Sequence, residues 1–227
     1  MIWLLDLDNT LVSRDAAFAA WAAAAVAEAG ATDDDLAAIV AADGGGFAPK
    51  RDVARVIVDR LGRDTGTADL DAVVEEFRTG IRDHVRVYDG VLDTLDVLRG
   101  AGHRVAVVTN GVSHQQRGKI ERCGLAGHVD AVVVSGEEGV EKPDPRLIDI
   151  ALERLDAADA DRRRVWMIGD AAHTDVAAGR AARTRTGWVS HGRTWTGGAR
   201  PDVHAPTARE VIALAAEGHW RVLPAQP

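Results

Sequence analysis

Short apolar runs recur along the chain at the length of β-strands. Residues 2–5, 104–109, 130–134, 165–168 and 186–190 are rich in Val, Ile and other apolar side chains, with few polar interruptions. A strand that is apolar on both faces is one that is covered on both faces, as in a parallel sheet. Helical patterns separate most of these runs. Over 91–101, Val91, Leu92, Leu95 and Leu98 fall on one face, and 115–123, 145–155 and 175–183 follow as further helices. Strand and helix in alternation predict a doubly wound α/β domain with a parallel, Rossmann-like sheet.

The alternation breaks once. After the first strand no second strand is predicted for almost a hundred residues, although a crossover needs only about a dozen. The intervening sequence is helical over 16–28, 33–42, 51–61 and 70–85, and a Gly-rich stretch, 43–49, interrupts it. This predicts a helical module, residues 14–87, inserted into a core made of 1–13 and 88–227. The tail, 203–220, predicts an edge segment and a last helix.

Composition narrows the class. The 227 residues include 27 Lys+Arg and 35 Asp+Glu, a formal net charge of −8, with 46% hydrophobic residues. That balance is ordinary for a globular protein and argues against a nucleic acid polymer or an anionic membrane as the main partner. A single cysteine, Cys123, excludes an intrachain disulfide and a Cys-rich zinc cluster, and fits a reducing compartment. The apolar run 16–27 follows two carboxylates rather than a basic region, and is too short to span a bilayer. It reads as a helix of a cytoplasmic protein. Neither His-Glu-x-x-His spacing nor a Gly-Lys-Ser/Thr loop occurs.

In open α/β sheets, sites lie beyond the carboxyl ends of the strands. Those ends carry Asp6-Leu7-Asp8-Asn9-Thr10, then Thr109-Asn110-Gly111, then Lys142-Pro143 near the helix after strand three. Gly169-Asp170 follows strand four, with Asp175 five residues on. Such a set suits attack on a phosphate monoester. A carboxylate can take the phosphoryl group and split a slow hydrolysis into two steps. Repulsion opposes it: two unit charges about 4 Å apart cost roughly 4 kcal/mol at an effective dielectric of 20. A lysine and a divalent cation held by carboxylates can cancel that cost, and oxygen ligands are what Mg²⁺ takes.

The ordered set of Asp-x-Asp-x-Thr, Thr, Lys and Gly-Asp-x-x-x-x-Asp resembles the haloacid dehalogenase-like hydrolases, and the helical insert resembles their small α-helical cap. The Lys-Pro-Asp-Pro and Thr-Asn-Gly runs resemble the phosphatase-rich branch. The resemblance implies a Mg²⁺-dependent phosphatase of small phosphorylated metabolites. It implies Asp6 as nucleophile and metal ligand. Asp8 becomes the general acid/base, its main-chain carbonyl also on the metal. Thr109 and the backbone around Asn110 and Gly111 would hold phosphoryl oxygens, and Lys142 would bridge Asp6 and the phosphate. Asp170 and Asp175 become metal ligands, Asp175 directly or through water. The cap loop 43–51 brings Lys50 and Arg51 as candidates for a second anionic group of the substrate.

Plainer roles compete at several positions. Asp175 could cap the next helix, Asn110-Gly111 is a turn signal in its own right, and Ser113 is expected to cap the helix after strand two. His173 is a candidate substrate contact. A 2-haloacid dehalogenase shares the fold, but its halide leaving group needs no acid such as Asp8. A sugar-phosphate mutase keeps both carboxylates. A non-catalytic binding protein would be expected to have lost one of these groups, and none is lost.

Overall fold

The computed structural model describes residues 1–64 and 66–217. They divide into two compact units, Met1–Val12 with Val87 onward, and Ser13–Arg86. The first unit holds β1 (Ile2–Leu5), α5 (Val91–Gly100), β2 (Arg104–Thr109), α6 (Ser113–Arg122), β3 (Ala131–Val134), a single turn α7 (Ser135–Glu138) and α8 (Arg146–Arg154). It continues with β4 (Val165–Gly169), α9 (Ala177–Ala181), β5 (Arg185–Val189), β6 (Val203–Ala205) and α10 (Ala208–Ala216). The second holds α1 (Arg14–Ala29), α2 (Asp33–Asp43), α3 (Lys50–Arg60) and α4 (Leu70–His84). The edge segment and helix expected over 203–220 are β6 and α10, while 218–220 lie outside the described residues. Among the described residues no helix is long and apolar enough to cross a membrane.

All five strand pairings are parallel, in the order β3-β2-β1-β4-β5-β6. Alternate side chains divide the sheet into two faces. Ile2, Leu4, Ala106, Val108, Val133 and Met167 point one way and meet Leu147, Ile148, Ala151 and Leu152 of α8. Those four fall at helical spacing, and all are fully buried. On the other face Trp3 stacks on Trp166 with ring centroids 6.2 Å apart. α10 begins with a reciprocal capping box, Thr207 to Glu210, which satisfies two otherwise orphaned amides.

The strand order fixes where a site can form. From β1 the chain builds outward through β2 and β3, then returns to β4 on the other side of β1. The order therefore reverses at β1 and β4, and a crevice opens beyond their carboxyl ends. Asp6 and Asp170 follow those two strands directly. The helix expected over 175–183 is divided. Residues Ala172–Val176 form a wide π-type turn, and α9 runs only to Ala181 because Arg183 turns left-handed at φ 60°.

The helical unit has its own core. Phe18 and Trp21 of α1 meet Phe77 of α4, with ring centroids 5.8 to 6.0 Å apart. Trp21 lies so close to Gly80 that a Cβ there would stand 2.0 Å from the indole. Arg14 and Asp43 are buried as an ion pair, with Arg14 Nη2 2.7 Å from Asp43 Oδ1. The Asp43 carboxylate also accepts the Gly46 amide at 2.8 Å, so this pair anchors the Gly-rich turn.

Candidate active site

Asp6 stands at the end of the central strand, and its amide donates to Ile168 O of β4 at 2.9 Å. Its carboxylate is buried against Lys142, whose Nζ lies 2.6 Å from Asp6 Oδ1, 2.7 Å from Asp175 Oδ1 and 2.7 Å from Val108 O. Lys142 is 2% exposed, so its charge is answered by protein groups rather than by bulk water. Asp175 accepts the Ala171 amide at 3.0 Å, closing the wide turn from within rather than capping α9. Gly169 makes room for it: a Cβ there would lie 2.1 Å from Asp175 Oδ2. Asp170 receives Arg193 Nη2 on Oδ2 at 3.1 Å, and the Asp170 main-chain carbonyl accepts from Trp188 Nε1 at 2.9 Å.

The electrostatics are unbalanced. Three carboxylates, Asp6, Asp170 and Asp175, are buried with ligand oxygens within 4.8 Å of one another. They share the buried Lys142 and the half-exposed Arg193. Burial pushes the Asp6 carboxyl well above the usual carboxylate range. Lys142 pulls it down, and Asp175 and Asp170 push it up further. Burial alone would lower the Lys142 ammonium, but Asp175 and Asp6 overcome that and raise it. The donor set is all oxygen and its negative charge exceeds the buried positive charge. Both features fit a hard divalent cation held by these three side chains. Among the described residues this is the one such group of His, Cys, Asp or Glu.

Asp8 is turned elsewhere. Its two oxygens lie 2.8 and 2.6 Å from Lys119 Nζ, and Gln116 Nε2 stands 3.0 Å from Asp8 Oδ2. The metal role expected of Asp8 rests on its main-chain carbonyl, not on this carboxylate. Gln116 is also 2.6 Å from Thr109 Oγ1 and 3.1 Å from Asn110 O, and its amide oxygen accepts from Lys119 at 2.8 Å. Thus one buried glutamine links the second carboxylate to the threonine after β2.

Asn110 and Gly111 have partners of their own. The Asn110 amide donates to Lys142 O and accepts from Lys142 N, both at 2.8 Å. That reciprocal pair fixes the backbone from which the Lys142 ammonium projects. The Gly111 amide donates to Ser135 Oγ at 3.0 Å, and Gly111 O accepts from Gly136 N at 3.1 Å. Ser113 does not cap α6. Val112 occupies the cap position, and the Ser113 hydroxyl donates to Glu137, which Arg117 also holds at 2.6 and 2.7 Å. In the helical unit, Lys50 Nζ donates to Gly46 O at 2.5 Å and Ala48 O at 3.2 Å, and Arg51 pairs with Asp71.

Gln116, Lys119, Ser135 and Arg193 are absent from the expected site. A sequence signal existed for the first two. α6 has almost no apolar stripe, yet it must lie against the sheet, so its buried face is polar: Gln115, Gln116 and Lys119 with Ile120.

The family described as haloacid dehalogenase-like hydrolase matches residues 3–189. The chain is 38% identical over 119 residues to the pyrimidine 5'-nucleotidase YjjG of Escherichia coli K12, covering 52% of this chain and 49% of that protein. It therefore spans about half the length of that relative. To the phosphoglycolate phosphatase of Agrobacterium fabrum it is 33% identical over 190 residues, covering 79% of this chain and 76% of the relative. Among solved structures, the HAD-hydrolase YfnB of Bacillus subtilis bound to magnesium superposes with a TM-score of 0.74. The identity is 22%, and the match covers 94% of this chain and 97% of that one.

Proposed function

The chain belongs to the haloacid dehalogenase-like hydrolases, and from that premise we propose that it is a Mg²⁺-dependent phosphatase of small phosphorylated metabolites. The observation that carries this reading is the excess of buried carboxylate around one buried lysine, with a second carboxylate two residues after the first. Named relatives acting on small phosphate esters support it.

Asp6 is the nucleophile in this reading. Its carboxylate attacks phosphorus, the bond to the leaving oxygen breaks, and an aspartyl-phosphate forms. Asp8 gives the departing alkoxide its proton and then takes one from the water that attacks the phosphoenzyme. Lys142 neutralises Asp6 against the incoming dianion, and Asn110 fixes Lys142. Thr109 offers its hydroxyl to a phosphoryl oxygen. Asp6, Asp170 and Asp175 would hold the Mg²⁺, whose charge offsets the repulsion between carboxylate and phosphate. Gln116 and Lys119 hold Asp8 while the site is free. The inserted helical unit we assign to the family's cap, with Lys50 and Arg51 as candidate residues for substrate choice.

Asp8 also favours this reading over a dehalogenase, because an alkoxide needs protonation and a halide does not. The test is a phosphate-release screen over small phosphorylated metabolites, with and without Mg²⁺, with 2-chloropropionate as the comparison. Phosphate release that EDTA abolishes is expected. Undiminished turnover in EDTA, or release of chloride alone, overturns the reading. A Lys50→Ala/Arg51→Ala variant run over the same panel tests substrate choice, and an unchanged ranking removes those two residues from it.

A further inference from the structure

The opposite end of the sheet carries a cluster that this chemistry does not use. A cavity of about 350 Å³ is lined by Arg163, Arg180, Arg183, Thr184, Arg185 and Asp202. Arg163 precedes β4, Arg180 lies in α9, and Arg183 and Thr184 form the turn after it. Arg185 opens β5, and Asp202 comes just before β6. All lie in one unit, at the amino ends of strands whose carboxyl ends carry the candidate active site. The length of β4, five residues, separates the two ends by roughly 15 Å.

The charges there do not cancel. Arg163 pairs with Asp161 at 3.1 Å and Arg185 with Asp202 at 3.2 Å. Arg180 and Arg183 take part in no ion pair or side-chain hydrogen bond among the described residues. Carboxylates are in surplus over the chain as a whole, so the lack of partners is local. Arg183 also sits where its backbone is unfavourable. It holds φ 60°, with its amide on Arg180 O at 3.0 Å and the Thr184 amide on Gly179 O at 2.9 Å. That is the position after a helix where glycine is usual, and it turns the Arg183 side chain toward the cavity lining.

We propose that this cavity binds a small phosphorylated anion at a site separate from Asp6. A guanidinium fork matches two phosphoryl oxygens at once, and two unpaired forks match a group carrying two negative charges. The volume lies in the range of small-molecule sites, about 300–1,000 Å³. A nucleic acid strand fits less well, because it needs a longer basic track and meets the field of a chain whose net charge is −8.

The test is calorimetric titration of the full chain with inorganic pyrophosphate, in EDTA so that no turnover occurs. Arg180→Ser/Arg183→Ser is the variant, and both side chains are exposed, so its Tm should equal that of the wild type. Binding weakened at least about tenfold in the variant is expected, as for the loss of one or more charge-assisted hydrogen bonds. An unchanged isotherm, or no binding to the wild type, overturns the proposal. A short single-stranded DNA forms the second arm. Arginine-dependent binding of that DNA tighter than of pyrophosphate would give the cavity to a polymer and overturn the small-ligand assignment. None of these readouts depends on turnover, so a failed phosphatase screen leaves them intact.

Discussion

In the helical unit, Arg14 and Asp43 are buried one against the other, the exposed Asp15 also meets Arg14 at 3.1 Å, and the Gly46 amide takes up a remaining lone pair of Asp43. In the sheet unit, Lys142 is buried as deeply, but two carboxylates contact it and a third stands within ligand distance of both. The first arrangement is electrically complete. The second is not: three carboxylates face the buried Lys142 and the half-exposed Arg193, and the negative charge stays in excess. Buried charge of the first kind holds a turn in place. Buried charge of the second kind costs stability in the free protein and suits a cation that arrives from solution.

This contrast can be broken most severely at Asp6. Asp6→Asn removes the proposed nucleophile while keeping its shape, so turnover should fall by at least about 10³-fold. The same change relieves repulsion with Asp170 and Asp175, so in EDTA the variant's midpoint of urea unfolding should equal or exceed that of the wild type. A variant that keeps a tenth of the activity, or that is clearly destabilised without metal, contradicts the contrast.

Asp43→Asn should do the opposite. It leaves the buried Arg14 with the exposed Asp15 in place of its buried carboxylate partner, and breaking a buried pair costs up to about 3–5 kcal/mol. Chemical denaturation would register that loss, and a double variant Arg14→Leu/Asp43→Leu should recover part of it. A cost below about 1 kcal/mol would mean that the pair behaves as a surface one.

A smaller effect is expected at Lys119, which touches both oxygens of Asp8. Lys119→Met should lower kcat on alkyl phosphates by roughly 10- to 100-fold, a part of the about 10²–10⁴-fold that general acid/base catalysis supplies. With p-nitrophenyl phosphate, whose leaving group needs little protonation, the loss should be smaller, and Lys119→Arg should restore part of it. Equal losses on both substrates would reduce Lys119 to a packing role.

The smallest effect concerns Glu137, which braces α6 through Arg117. The hydrogen bonds from Arg117 hold its carboxyl down against the opposing effect of burial, with Ser113 helping, from an ordinary 4.5 to about 2. A carboxyl lowered in the folded state adds stability above its unfolded value and loses it as pH falls through the folded one. Glu137→Gln should therefore cost under about 1 kcal/mol at neutral pH, as exposed pairs do. Thermal unfolding of the two proteins should converge as pH falls from 4.5 toward 2. A gap that persists at the acid end would show that the glutamate acts through shape.

Much of this is legible in the sequence. The apolar runs located the strands to within a residue or so, because a strand covered on both faces can tolerate little else. The placement of carboxylates at the strand ends was legible for the same reason: Asp6 and Asp170 interrupt apolar segments abruptly. The partners were harder. Gln116 and Lys119 lie on a helix whose residues look solvent-facing, and only their contact with Asp8, more than a hundred residues away, gives them meaning. Asn110 read as a turn residue or as a phosphate contact. Its reciprocal bonds to Lys142 depend on the neighbouring strands β2 and β3 bringing two loops together. The cavity of arginines was illegible because each arginine taken alone is an ordinary surface residue.

Gly169 has a consequence for heredity. It carries no functional group and would look freely replaceable by alanine, yet one added methyl would collide with the Asp175 carboxylate. A lineage can thus lose the activity through a change that leaves every charged residue of the site intact in its sequence. Descendants of such a change would keep every acid, hydroxyl and lysine of the site and differ only at the glycine that opens the fourth motif, and a reader who counted functional groups alone would take them as active. For this fold, the inheritance of function turns on a hydrogen atom as much as on the acids around it.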